Sequence, residues 1–202
     1  MPPVIAGFGP AGMFAAIIAA RRGASVLLLE KNNRLGKKLL ITGKGRCNVT
    51  NDCTEQEVLQ NIPRNGRFLY SAMTACPPSV VMRFFEEQGC ALKTERGNRV
   101  FPVTDRAQSI LECLESELRK QKVTVKTERV RTVLSENGVV TGVETDQQKI
   151  YADWVILATG GLSYPTTGST GDGYALAQQA GHTIVPPRPS LVALESDDAL
   201  CP

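Results

Sequence analysis

Near the amino terminus Gly7-Phe8-Gly9-Pro10-Ala11-Gly12 has the GxGxxG spacing that lets a backbone receive a pyrophosphate. The apolar run Val4-Ile5-Ala6 precedes it, and a stretch with Met13, Ala16, Ile17 and Ala20 at helical spacing follows, so the glycines fall between a strand and a helix. There Gly7 permits the tight turn, Gly9 admits the phosphates and Gly12 lets helix and strand pack closely. Pro10 and Ala11 open a helix whose free N–H groups and partial positive charge face the anion. Glu30 ends the next apolar run, residues 25–29, where an acid accepts bonds from both hydroxyls of an adenosine ribose and repels a 2′-phosphate. The chemistry predicted is binding of FAD or NAD, with NADP disfavoured.

A second group of residues follows at once. Lys31, Arg34, Lys37, Lys38, Lys44 and Arg46 form a basic cluster suited to a diphosphate, and Gly43 and Gly45 allow backbone N–H groups to face phosphates as a nest. Aromatic residues are absent from the cluster, which argues against stacking on bases, so no nucleic-acid partner is expected. Cys47 stands between Arg46 and Asn48, where a cation lowers a thiol pKa; a small residue filling space beneath a cofactor is the favoured reading. The six cysteines, Cys47, Cys53, Cys76, Cys90, Cys113 and Cys201, include no CxxC pair and no histidine at metal-ligand spacing, so free thiols and no metal are expected. His182 is the single histidine and has no serine or cysteine partner; it reads as a helix-end residue. Asp172, between Gly171 and Gly173, reads as a helix cap. Tyr164 and Arg99 are candidates for the substrate side. No side chain reads as a general acid or base, and the catalytic residues stay unassigned.

The elements that must position these groups read as an α/β frame. Strand, helix and strand occupy the first thirty residues; residues 31–51 read as a long glycine-rich loop with one short helix at 37–41. Helices are predicted at residues 77–88 and 104–122, with a turn and a short strand at 95–102 between them. Four runs, at residues 123–126, 130–134, 139–145 and 149–152, read as a β-meander with a hairpin turn at Glu136-Asn137-Gly138. A buried strand at 154–158 ends in Thr159-Gly160-Gly161, a helix spans residues 174–180, and an apolar strand follows His182.

The 202 residues, 42% apolar and 21% charged, suffice for one core, and a formal net charge of +3 points to neither nucleic acid nor membrane. The first strand follows Met-Pro-Pro directly, which leaves no room for a secretory signal, and no run approaches the roughly 20 apolar residues of a membrane span. The expected location is the cytoplasm. A nicotinamide dehydrogenase would continue in regular strand–helix repeats; a basic glycine loop, then a meander, then a strand ending Ala158-Thr159-Gly160-Gly161 is the order of two-dinucleotide-fold flavoproteins.

At this point the chain resembles the aminoacetone-oxidase-like, or BaiN/YhiN-type, flavoproteins. The resemblance is carried by Leu35-Gly36-Lys37-Lys38-Leu39-Leu40-Ile41-Thr42-Gly43-Lys44-Gly45-Arg46-Cys47-Asn48-Val49-Thr50-Asn51, which fits the family pattern G-[RK]-K-x-x-x-[ST]-G-x-G-R-C-N-x-T-N at every fixed position. Arg99-Val100-Phe101-Pro102, Ala158 to Pro165, Gly168 to Tyr174 and Pro189 to Leu194 extend it. It implies a glutathione-reductase-type, Rossmann-like FAD/NAD(P)-binding domain with non-covalent FAD. Gly7, Gly9 and Gly12 would then hold the pyrophosphate and Glu30 the ribose. The backbone at Val130 would meet the adenine and Thr159-Gly160 cover the nucleotide, with Gly161 beside them. Gly43, Gly45, Arg46, Cys47 and Asn48 would wrap the pyrophosphate and flavin, with Lys31 and Lys38 nearby. Family members run to about twice this length. Residues 1–190 are therefore expected to be an incomplete FAD-binding domain, and 191–202 the start of a connection to an inserted domain. The expected function is hydride transfer between a small organic substrate and FAD, with a nicotinamide or dioxygen as redox partner; the alternative is a truncated fragment without turnover. Phe8 departs from the small residue usual at its position.

Overall fold

A computed structural model describes residues 1–189. Strand β1 (Val4–Ala6), helix α1 (Pro10–Arg21) and strand β2 (Leu27–Glu30) form the opening unit. Then come α2 (Lys37–Ile41), a distorted turn at Thr42–Gly45, β3 (Thr50–Asn51), α3 (Glu55–Gln60) and α4 (Tyr70–Ala75). Next are α5 (Pro78–Glu87), β4 (Leu92–Glu95), β5 (Arg99–Pro102), α6 (Ala107–Lys120) and β6 (Thr124–Thr127). The chain continues through β7 (Val130–Glu136), β8 (Val139–Thr145), β9 (Lys149–Tyr151), β10 (Val155–Leu157) and α7 (Asp172–Gln179).

The frame is a parallel sheet in the order β10-β1-β2-β6, with Val4 beside Leu27 and Val155, and Leu27 beside Thr124. Its central strands are buried on both faces, which is why they read as continuous apolar runs rather than alternating ones. Ile5 and Leu28 point into a core with Met13 and Ile17 of α1, Phe84 and Phe85 of α5 and Ile110 and Leu114 of α6. Val4, Ala6, Leu27 and Leu29 point the other way, against Val130 and Val143 of the meander and Leu176 of α7. β1 and β2 thus face α1, α5 and α6 on one side and the β7-β8-β9 meander with α7 on the other. On the helical side, Glu117 of α6 is 1% exposed and meets Arg21 of α1 at 2.7 Å, tying the two helices together.

Several expectations hold. The short helix falls at Lys37–Ile41, the two longer ones at Pro78–Glu87 and Ala107–Lys120, and Asn137-Gly138, both at positive φ, form the turn between β7 and β8. Others are corrected. The run at residues 123–126 is not part of the meander: α6 returns the chain alongside β2, and Thr124 donates to the Val26 carbonyl (3.0 Å), so β6 joins the parallel sheet and the meander has three strands. The short strand at 99–102 has an unforeseen partner in β4, and β3 joins them as a second antiparallel sheet. α3, opened by a Thr54/Glu57 capping box, and α4 were also unforeseen. Residues 183–185 form no strand; Val185 is 84% exposed, and no neighbouring strand among the described residues takes up their backbone. The boundary expected at residue 190 lies outside the described residues.

Candidate functional site

The glycine turn is built as its spacing demands. Gly7 leaves β1 at φ 109° and donates to the Leu29 carbonyl (2.8 Å), and a Cβ there would overlap the carbonyl of Ala158. A Cβ on Gly12 would overlap the Gly7 carbonyl oxygen, so α1 can lie this close only without a side chain there. Gly9 differs: its backbone is extended (φ −80°, ψ 177°), any residue could adopt it, and a Cβ would meet no protein atom. Nothing in the fold explains that bareness; the space in front of it does. Pro10 takes the first helical position, where an N–H is not missed, and no side chain caps α1, which leaves the amides of Ala11 and Gly12 free for an anion.

In front of the turn lies a cavity of about 600 Å³ that crosses the carboxyl ends of β1 and β2, the place where open parallel sheets take ligands. Gly7, Gly9, Pro10 and Ala11 line it, with Thr159 packed directly against Gly7 and Gly160 following. Glu30, Lys31, Val130, Lys38, Cys47 and Asn48 also line it, together with the apolar Phe14, Val49 and Phe85. Gly12 lies beneath the turn, and Gly43, Gly45, Arg46 and Gly161 do not reach the cavity wall.

Glu30 is 8% exposed and engaged within the protein: Oε2 accepts from the Phe8 N–H (2.8 Å), and Oε1 from the backbone and side-chain N–H groups of Asn32 (2.8 and 2.6 Å). Of about four acceptor positions on a carboxylate, these bonds leave one, on Oε2, so a ribose would find room for a single hydroxyl rather than both. The same bond pins the glycine turn to the end of β2. Phe8 turns its ring into the helical core, 1% exposed, which accommodates a large residue at that fingerprint position.

Asp172 does not cap α7. It is the first residue of that helix, and its carboxylate takes Lys31 (2.9 Å) and Arg129 (3.1 Å) and accepts from the Thr170 hydroxyl (2.9 Å). Burial pushes its pKa up, but the bonds from Lys31 and Thr170 and the charge of Arg129 outweigh that and hold the carboxyl below its ordinary value. Lys31 is therefore already neutralised. Three segments meet in this latch, whose Lys31, Arg129 and Asp172 line the cavity with Glu30. The basic cluster divides: Arg34, Lys37 and Lys38 line the cavity, whereas Lys44 and Arg46 do not.

Cys47 is buried, and burial pushes its thiol up against a bond with Thr42 that pulls it down, so it is held as the neutral thiol. Cys47, Cys53, Cys76, Cys90 and Cys113 are all free; Cys201 lies outside the described residues. Tyr164 is 65% exposed, Arg99 packs on the outer hairpin near Phe101, and neither lines the cavity. His182 is exposed and closes α7 with its backbone, donating to Ala177 (3.0 Å). Glu128 and Arg129, unforeseen, line the cavity beside Val130; only their adjacence to that residue could have signalled them.

A dinucleotide fits what is present. The side-chain-free floor at Gly9 and the free amides of α1 suit a pyrophosphate, and Thr159 and Gly160 line the same cavity.

A buried parallel sheet, a glycine turn beneath a cleft and an acid at the end of the second strand define an FAD-binding, Rossmann-like domain. The chain belongs to the HI0933-like protein Rossmann domain family, whose pattern it matches over residues 2–194. It is 41% identical over 95% of its length to the 3-dehydro-bile acid delta(4,6)-reductase of Clostridium scindens, covering 46% of that protein. It is 32% identical over 94% of its length to the ribosomal RNA dihydrouridine synthase of Haemophilus influenzae, covering 47% of it. The chain thus spans about half the length of these curated relatives. A flavocytochrome c3 fumarate reductase shares the fold, with a TM-score of 0.62 at 21% identity over 89% of this chain and 40% of the other. Among the described residues no helix is long and apolar enough to cross a membrane.

Proposed function

We propose that residues 1–190 hold FAD in this cavity as one part of a flavoprotein oxidoreductase. Gly7, Gly9, Pro10, Ala11 and Gly12 would take the pyrophosphate, Glu30 one ribose hydroxyl, and the Val130 backbone the adenine. Thr159, Gly160 and Gly161 would lie over the nucleotide, and Lys31, Lys38, Cys47 and Asn48 would complete the walls, with Gly43 and Gly45 shaping the loop behind. When bound, FAD supplies a hydride donor or acceptor, while the chain's own groups orient it and exclude water. The observation that carries the reading is Gly9, bare of side chain with no atom of the described residues within 4 Å of the place its Cβ would take.

Both curated relatives bear names that describe adding hydrogen to a carbon–carbon double bond, in a 3-dehydro bile acid and in uridine. The whole protein is accordingly proposed to reduce a double bond conjugated to a carbonyl in a small organic substrate, in the cytoplasm, with a nicotinamide as electron source. An RNA substrate is the second reading, favoured by Arg64, Arg67, Phe68 and Tyr70, exposed around one turn, with Phe68 at 86%. Fluorescence anisotropy with a labelled single-stranded RNA separates the two: binding abolished by Phe68→Ala supports RNA, and no binding removes it.

The test of the cofactor reading is absorbance of the chain mixed with FAD and desalted, together with a calorimetric titration with ADP. Retained flavin bands or ADP binding support it. A chain that takes up neither refutes it.

A further inference from the structure

Arg46 stands in the glycine-rich motif yet faces away from the cavity. Its guanidinium donates twice to Glu95, at 2.9 Å each, and once to Asp105 at 3.0 Å, and its carbon lies 4.0 Å from the centre of the Phe101 ring. Lys93 bridges the same two acids, 2.6 Å from Asp105 and 3.3 Å from Glu95. Glu95 and Phe101 belong to the β4–β5 hairpin, and Asp105 follows it. A planar fork that pairs bidentately and stacks on a ring is a geometry lysine does not offer.

What this clamp grips is a strained piece of chain. Gly43, Lys44, Gly45 and Cys47 all have positive φ, at 57°, 58°, 84° and 60°. For Lys44 and Cys47, which carry a Cβ, that conformation is strained. It persists only where the surroundings over-determine it. Two attachments do so: the Arg46 side chain, and the backbone beyond it, where Val49 donates to the Val100 carbonyl (2.8 Å) and β3 pairs with β5. Between those attachments lie Cys47 and Asn48, both of which line the cavity. In the FAD reading above they belong to the flavin side of its wall.

We infer that Arg46 is a positioning residue for the flavin end of the cofactor: its clamp on Glu95, Phe101 and Asp105 fixes the left-handed turn so that Cys47 and Asn48 form the cavity wall. The inference rests on the FAD reading above.

ADP carries the pyrophosphate but no flavin, so it separates positioning from direct phosphate contact. The full chain, its Arg46→Lys variant and its Glu95→Gln variant are titrated with ADP and with FAD, and amide hydrogen exchange is followed without nucleotide. Both variants are expected to lose about tenfold or more in FAD affinity and to keep the ADP affinity of the parent chain. The amides of Cys47 and Val49 exchange faster in both, while those of Ile5 and Leu28 do not change. Parallel loss of ADP and FAD, or tighter binding in Glu95→Gln, where Arg46 is released, would make Arg46 a phosphate ligand or a merely structural residue and overturn the inference. ADP binding with no gain from the flavin in the parent chain also overturns it. Failure of the parent chain to bind either nucleotide sinks the FAD reading instead, and exchange still decides whether the clamp holds the loop: unchanged rates at Cys47 and Val49 dismiss it.

Discussion

Replacing Gly9 and Gly12 separately by alanine distinguishes a glycine kept for a ligand from one kept for the fold. At Gly9 the backbone is ordinary extended chain and the new methyl meets no protein atom. The loss of a favourable N-cap costs from a few tenths to about 1 kcal/mol, and the reduced freedom of the unfolded chain returns about 0.4–1 kcal/mol. The net change in stability is about zero. At Gly12 the methyl would overlap the Gly7 carbonyl oxygen, backbone against backbone, and α1 must retreat on the order of 1 Å to reach van der Waals contact. Overpacking of backbone against backbone falls in the upper part of the usual range, about 2–3 kcal/mol, offset by about 1 kcal/mol of helix propensity. With about 2–4 °C per kcal/mol for a domain of this size, Gly12→Ala should melt about 2–8 °C below the parent chain. The assays are thermal unfolding by circular dichroism and calorimetric titration with ADP. Gly9→Ala is expected to melt with the parent and bind ADP at least about tenfold more weakly. A Gly9→Ala chain that binds ADP normally would show that no phosphate approaches this backbone, and the cofactor assignment would fall with it.

Other outcomes follow from charge and burial. Asp172→Asn removes the shared partner of Lys31 and Arg129, so ADP dissociation measured by stopped flow should quicken several-fold; an unchanged rate would mean the latch does not border the nucleotide. The carboxyl of Glu95, held down first by its bonds from Arg46 to a pKa of about 2 against 4.5 normally, is depressed in the folded state. Its contribution is therefore complete above pH about 4.5 and lost as pH falls toward about 2, and the stability difference between the parent chain and Glu95→Gln in urea titrations should shrink over that window; a difference that grows on acidification contradicts it. Arg21→Ala leaves Glu117 buried with only Gln121 and Lys120 nearby, and should cost about 2 kcal/mol, less than the about 3–5 of a fully abandoned buried charge; chemical denaturation reads it. Cys47→Ser should retain FAD, since the thiol is neutral and fills space; a colourless variant beside a yellow parent would assign the sulfur a direct part.

The extent to which the sequence could be read follows from the range of the interactions involved. The opening unit is legible because its glycines, its helix start and Glu30 act within thirty residues, and the Asn137-Gly138 turn because a two-residue hairpin needs positive φ at both positions. The strand at Thr124–Thr127 was visible as a strand, but its propensity says nothing of its partner, and all four of its residues are exposed, so no periodicity marked it as belonging to the buried sheet. β4, Leu92-Lys93-Thr94-Glu95, carries charges that serve the Arg46 clamp and hide its strand character. α3 and α4 have six residues each and bury none of them fully, too little for a helical pattern to emerge.

Charge was where local reading failed at the site. Asp172 between two glycines looks like a cap when only its neighbours are considered, and Arg46 in a glycine loop looks like a phosphate ligand. Their partners in the fold lie far along the chain, Lys31 and Arg129 at separations of 141 and 43 residues, Glu95 and Asp105 at 49 and 59. Both rearrangements act alike: each takes a cation that the sequence offers to the phosphates and spends it on joining two segments of the cavity's surroundings. The attraction for a diphosphate is then left to the amides at the start of α1, which no side chain caps, and to Arg34, Lys37 and Lys38, none of which has a carboxylate partner among the described residues. Fixed backbone dipoles hold an anion in one place, whereas long cationic side chains attract it without fixing it. In the FAD reading, a cavity arranged in this way would set the position of the pyrophosphate by main chain and reserve its most constrained side-chain charges for shaping the walls around it.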